Sequence, residues 1–289
     1  MDLSTIGVFS FLDGLSGAQL GPFARKVERL GYSALWFAEG LGRESFSLAS
    51  YLLSQTERLV VATGIAVVFK REPVATAGAA KTLGELFEDR FILGLGVSNK
   101  EGNARRGITY DQPYSFMREY LAKLKATMYA APAPKQEPPI VLAALLPKML
   151  QLAATETHGT HTYFVPPQQT AVVRAAIGPH KWICAEQAVM LEPDPAKARA
   201  AARAYMAFYL QIPHYRNSLR AVGFDEADFA NGGSDRLVDA IVAWGTEDTL
   251  RARIAAHRQA GATHICILPL SPNGGMLPDE RTLEALAPR

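Results

Sequence analysis

Cysteine is scarce. The chain has 289 residues and two cysteines, Cys184 and Cys266. Both sit in apolar runs without metal-ligand spacing, so they read as small buried hydrophobes in a reducing compartment, not as a disulfide framework or a zinc site. An excess of one charge is also lacking. Lys and Arg number 30 against 28 Asp and Glu, a net charge of +2 with the signs interspersed. That leaves no basic stripe for nucleic acid and no acidic tail. No window approaches ~18 uninterrupted apolar residues, so no membrane-spanning helix is expected. The opening "MDLSTIGVFS" has no basic segment leading into an apolar core, so a signal peptide is not expected either, and the chain reads as soluble and cytoplasmic.

Several catalytic signatures are missing. There is no G-x-S-x-G elbow and no Cys–His arrangement for nucleophilic catalysis. His158 and His161 in "ETHGTH" have neither an HExxH frame nor a third ligand, and they fall before a strand, at the face away from the expected chemistry. No metal is expected there.

What the chain does have is apolar residues, 48% of the total, in a regular alternation. Runs that read as strands occur at 5–10, 34–39, 59–68, 91–98, 139–145, 161–165, 182–191 and 263–270. They are continuous rather than alternating, as parallel strands covered on both faces should be. Between them lie amphipathic helices. Pro73, Pro113 and Pro147 open three of them, and Ser234 and Thr246 are N-cap residues for two near the end. Eight strand–helix units in this length predict one domain, 1–289, folded as a (β/α)8 barrel. A doubly wound sheet would carry a glycine fingerprint after an early strand. In "GLGVSNKEG", Gly94 and Gly96 are followed by Asn99 where a third glycine should stand, so that match fails.

A barrel places its chemistry at the C-terminal strand ends. Glu39 ends "LWFAEG" there, suited to a hydrogen bond with a ligand, to proton transfer, or to pairing with Arg43. Ser98 and Asn99 follow the fourth strand. Lys148 stands at a helix start in "LLPKML" and "VPPQQT" offers another, both suited to holding phosphate through backbone N–H groups. Arg105, Arg106 and Tyr110 occupy a polar loop, 99–112, that would overhang the mouth as a lid or a solvated turn. Of Glu186 and Gln187 one must face the interior, where a carboxylate needs a partner or a shifted pKa. Trp36 and Phe37 read as core. In "LVVATGIAVV", Gly64 weakens a strand in which valine would pack better. It marks either a bulge or a place where a flat ligand lies on the backbone.

"GYSALWFAEG", "LVVATGI" and "EPVATAGAAKTLGELFEDRFILGLGVS" resemble the luciferase-like monooxygenase family. "VLAALLPKMLQLAA", "GGSDRLVDAIVAWG" and "AGATHICIL" narrow the resemblance to its coenzyme F420-dependent oxidoreductase branch. It runs in order along nearly the whole chain. It implies a bacterial-luciferase-like TIM barrel that holds F420, or alternatively FMN, in its mouth and acts on a small-molecule substrate as a homodimer. It also implies a cis peptide at Gly64–Ile65 backing the ring. On this reading Glu39 and Asn99 are the catalytic candidates. Glu39, Gly64, Ile65, Ser98, Asn99, Leu146, Lys148, Val165 and Pro166 are the cofactor contacts. Relatives often carry histidine where Asn99 stands, and asparagine cannot shuttle a proton. An FMN-dependent monooxygenase and a non-catalytic flavin-binding protein are the alternatives within this fold.

Overall fold

The apolar runs become parallel strands because each one buries both faces, one toward the barrel interior and one toward the helices. In the computed structural model, which describes every residue except Met276 and Arg289, the strands are β1 (Gly7–Ser10), β2 (Ala34–Phe37), β3 (Val60–Thr63), β4 (Ala66–Val67), β5 (Phe91–Gly96), β6 (Ile140–Ala143), β7 (Gly159–Thr162), β8 (Trp182–Met190), β9 (Val242–Trp244) and β10 (His264–Pro269). All pairings are parallel, and β10 bonds to both β1 and β8, which closes the sheet. With β3 and β4 as two halves of one position, and β9 paired only with β8 outside the closed ring, this is an eight-stranded (β/α)8 barrel.

Alternate residues divide the core. Phe9, Trp36, Ala62, Ile92, Val141, Cys184 and Cys266 pack in one cluster with the barrel interior. Val8, Leu35, Val61, Leu93, Leu142, Ile183 and Ile265 pack outward, with the helices. The two cysteines are free and buried, as expected. Helices start where the sequence places them: Pro73, Pro113 and Pro147 occupy the first helical positions, Ser234 accepts the Leu237 N–H, and Thr246 accepts the Thr249 N–H. An N-cap oxygen satisfies a donor that the helix itself cannot.

Three expectations change. The run 59–68 is two strands, because Ala62 faces Ile92 whereas Ala66 faces Leu95. Four steps on one side answer three on the other, so one extra residue bulges out at Thr63–Ile65. The Gly64–Ile65 peptide within it is cis. The run 161–165 gives only a strand ending at Thr162, since Phe164 turns away at φ 61°. Finally, β9 was hidden in "VAW", three residues that directly follow the helix Asp235–Ile241; it pairs with β8 at 188–190, beyond the point where β7 has ended.

The failed fingerprint glycines have a steric role. A Cβ on Gly94 would lie 1.8 Å from the Thr63 carbonyl oxygen, and one on Gly96 would lie 2.6 Å from Ile65 Cγ1. Both glycines clear space for the neighbouring bulge. Thr63 then replaces the interrupted ladder, its hydroxyl donating to the Gly94 carbonyl at 2.7 Å and accepting the Gly94 N–H at 2.9 Å. Backbone cannot retreat as a flexible side chain can, so Gly94→Ala should destabilise the protein by ~3 kcal/mol or more. Gly78→Ala, with open space at its Cβ inside the helix Pro73–Leu86, should be neutral or stabilising by up to ~1 kcal/mol. Urea denaturation of the two variants beside the parent checks the contrast.

Candidate active site

Glu39 follows β2 at the mouth with its side chain only 1% exposed. Oε2 accepts the Val67 N–H at 2.7 Å and Arg71 Nη1 at 2.8 Å, while Oε1 accepts Arg71 Nη2 at 2.5 Å. Lys70 Nζ stands 3.5 Å away. Burial pushes this carboxyl up, but the Arg71 fork, the Val67 N–H and Lys70 outweigh it and hold the group below the ordinary carboxylate range. Glu39 is therefore an ionised clamp on the segment after the bulge, with no proton to give near neutrality. Its partner is Arg71. Arg43 instead donates to the Leu12 and Leu15 carbonyls.

Gly64 sits over the interior at the end of the third strand. A Cβ there would come 2.9 Å from Phe9 and 3.2 Å from His161 Nε2. His161 is in the interior, a correction to its expected place at the opposite face; only His158, which accepts the Ile140 N–H, lies before its strand. The His161 ring stacks between Trp36 at 4.8 Å and Phe9 at 5.7 Å. Its Nδ1 meets the Cys184 carbonyl at 3.0 Å, whereas Nε2 has no partner. Phe9, Trp36 and His161 thus make a stacked floor beneath Gly64.

Ser98 takes φ 59°, and Asn99 caps the helix Lys100–Ala104 by accepting the Gly102 N–H at 2.7 Å. The Asn99 amide nitrogen has no protein partner among the described residues. The 99–112 loop folds back on the mouth: Arg106 Nη2 and Lys70 Nζ both donate to the Gly40 carbonyl, and Tyr110 lies against Phe69. Lys148 is exposed at the start of the helix Pro147–Glu156, which Leu146 precedes. The N–H groups of Lys148 and Met149 come before that helix's first internal bond. The next strand exit offers less. Val165 and Pro166 are buried, Pro167 has no N–H, and the Gln169 N–H is taken by the Pro166 carbonyl.

Glu186 is the interior-facing member of its pair. Gln187 points outward, and its Oε1 accepts from His257 Nε2 at 2.9 Å. Glu186 Oε2 accepts the Phe164 N–H at 3.1 Å and Oε1 is unpartnered. Burial, with no cation beside it among the described residues, pushes its carboxyl up to about 8, so it is a neutral acid at pH 7. Its one bond supports Phe164 in its left-handed conformation at the exit of β7. Sequence reasoning did not find the cluster above it. Tyr205 O–H donates to Tyr163 at 2.8 Å, and Tyr163 O–H donates to Tyr209 at 2.9 Å. Tyr205 and Tyr209 lie on the helix Pro195–Tyr209 and line a cleft of about 360 Å³ with the ends of β1 and β10. The tyrosines come from distant segments, so no local pattern announces them.

Removing the Glu39 charge leaves the half-buried Arg71 short of its main partner. Glu39→Gln should cost about 3 kcal/mol of stability in urea denaturation. Glu186 behaves oppositely. Unfolded glutamate deprotonates near 4.5 while Glu186 keeps its proton to about 8, so folding loses stability as pH rises across that interval. Glu186→Gln keeps the acceptor for Phe164 N–H. Its stability relative to the parent should be flat near pH 4.5 and improve by a few kcal/mol by pH 8.5. Denaturation curves at the two pH values test this.

The luciferase-like monooxygenase family profile matches residues 12–264. A 5,10-methylenetetrahydromethanopterin reductase of Methanolobus tindarius is 27% identical over 300 residues, covering 88% of this chain and 91% of that protein. Among solved structures, the coenzyme F420-dependent tetrahydromethanopterin reductase from Methanopyrus kandleri superposes with a TM-score of 0.76 at 18% identity, over 99% of this chain and 98% of its own. An F420-dependent secondary alcohol dehydrogenase bound to an F420–acetone adduct gives 0.77 at 14% identity over the same shares. These structures share the fold. The closed barrel agrees with the family match, which spans most of the sequence and establishes that this chain belongs to the luciferase-like monooxygenase family.

Proposed function

We propose that this protein is a coenzyme F420-dependent oxidoreductase that moves a hydride between F420 and a small organic substrate. The observation that carries the reading is the bulge at Thr63–Ile65. It leaves the Gly64–Ile65 backbone part-exposed at the mouth, with Phe9 and His161 filling the space of the missing Gly64 side chain and Glu39 holding the Val67 N–H just beyond. Backbone of this kind accepts a flat ring closely. The F420-linked activity of the structural relatives and the reductase named among the sequence relatives support the same reading.

The residues present fit such a group. Gly64 and Ile65 would lie behind the ring. The Asn99 amide nitrogen, without a protein partner among the described residues, would donate to a ring carbonyl, with Ser98 beside it. Leu146 and Lys148 would hold phosphate, through the Lys148 and Met149 N–H groups and the Lys148 ammonium. When bound, F420 supplies a two-electron hydride carrier. Glu39 keeps the bulge in register without exchanging a proton, and the interior aromatics exclude water from beneath the seat.

Fluorescence titration of the purified protein with F420 and with FMN tests this. F420 should bind at least tenfold more tightly than FMN. Lys148→Ala should weaken F420 severalfold while leaving thermal stability unchanged. Preferential FMN binding would point to the flavin-dependent monooxygenase reading. Failure to bind either would overturn the proposal.

A further inference from the structure

The cleft beside β1 and β10 holds none of the residues assigned to the cofactor. Its walls include Phe11, Phe208, Leu268 and Leu270, and no charged side chain lines it among the described residues. Two polar features bear on it besides Ser271, whose hydroxyl accepts the Asn273 N–H. Ser10 is 1% exposed, and its hydroxyl has no partner. The second is the chain of three tyrosine hydroxyls. Each phenol can donate one proton. The two bonds Tyr205–Tyr163 and Tyr163–Tyr209 use two of the three, so one end of the chain keeps an unspent donor. Both ends, Tyr205 and Tyr209, line the cleft. With Tyr205 donating to Tyr163 and Tyr163 to Tyr209, the unspent O–H is that of Tyr209, a residue of the cleft wall, strengthened by the hydroxyls behind it.

We propose that this cleft is the substrate pocket and that it takes an uncharged, largely apolar molecule bearing one carbonyl or hydroxyl oxygen. That oxygen accepts from the terminal O–H of the tyrosine chain, near the Ser10 hydroxyl. The inference takes the oxidoreductase reading as its frame and gives it a substrate class. A charged substrate is disfavoured, because a carboxylate or phosphate would be desolvated there without a cationic partner. The volume falls at the small end of ligand pockets, which run to about 300–1,000 Å³. Aromatic walls supply affinity with little direction, so the hydroxyl chain sets the orientation. Phe9 touches both sides of this arrangement, 5.3 Å from the Tyr163 ring and within reach of Gly64. The pocket thus adjoins the proposed ring seat.

The test is a ligand-observed NMR titration of the full chain with acetophenone, ethylbenzene and benzoate, which share a ring and differ in the oxygen. The parent should bind acetophenone about fivefold to tenfold more tightly than ethylbenzene, the worth of one hydrogen bond, with benzoate weakest. In Tyr205→Phe/Tyr209→Phe that preference should vanish while ethylbenzene affinity stays, which also shows that the pocket is intact. Ala204→Trp, on the cleft wall, should weaken both neutral ligands and serves if the double variant does not fold. Equal binding of ketone and hydrocarbon by the parent, tighter binding of benzoate, or a preference that survives both hydroxyl deletions would overturn the proposal. F420 titration of the same preparation separates the two claims. Lost ketone preference with F420 binding intact sinks the cleft alone. Ketone preference without F420 binding supports the cleft and sinks the cofactor reading.

Discussion

The mouth of this barrel depends on a buried charge that is matched. Glu39 leaves β2 as a carboxylate almost wholly removed from water, a placement that would be costly alone. Arg71 meets it with both terminal guanidinium nitrogens, and the Val67 N–H fills a further lone pair. The bond ties the exit of β2 to the half-strand after the bulge. Without it the extra residue of the third strand would have no fixed place to project. A second exit is held by similar means with opposite protonation. Glu186 supports the turn after β7 through the Phe164 N–H, but no cation among the described residues accompanies it, so it keeps its proton. The two carboxyls differ in charge because only one has a guanidinium beside it.

The interior below these clamps is stiff and largely aromatic. His161, flanked by Trp36 and Phe9, stays neutral because burial lowers its pKa to about 4. His264, which accepts the Trp36 indole N–H, is lowered to about 4 in the same way. Neutral rings stack without bringing charge into the core, so these aromatics leave the floor of the mouth uncharged near neutrality. A histidine there would charge only in acid, where the fold loses stability because the unfolded chain takes up the proton more readily.

The mouth therefore has two unlike sides. Along the exits of the third to fifth barrel positions lie backbone and polar termini: the bulge, Asn99 and the helix start at Pro147. Along β1, β10 and the helix Pro195–Tyr209 lies an uncharged aromatic cleft with a chain of hydroxyls. In the proposed function the first side serves the cofactor and the second the substrate, with Phe9 between them. Such a division suits hydride transfer, which needs two flat or apolar reactants held in contact with water excluded.

Much of this architecture was already legible in the chain. Continuous apolar runs separated by proline-led and serine- or threonine-capped helices determine a parallel barrel, because only strands covered on both faces can be apolar throughout. Gly64 was legible as an irregularity for the same reason: a strand interior has no use for a missing side chain. Which partner Glu39 would take was not, since Arg43 is much the nearer along the chain, whereas Arg71 reaches it only through the fold. The failed fingerprint at Gly94 and Gly96 had a meaning that depends on the neighbouring strand's extra residue, which no local window contains. The protonation of Glu186 and the joining of Tyr163 to Tyr205 and Tyr209 were decided by tertiary structure alone. Desolvation and long-range hydrogen bonding belong to the packed interior, and sequence spacing carries no record of either.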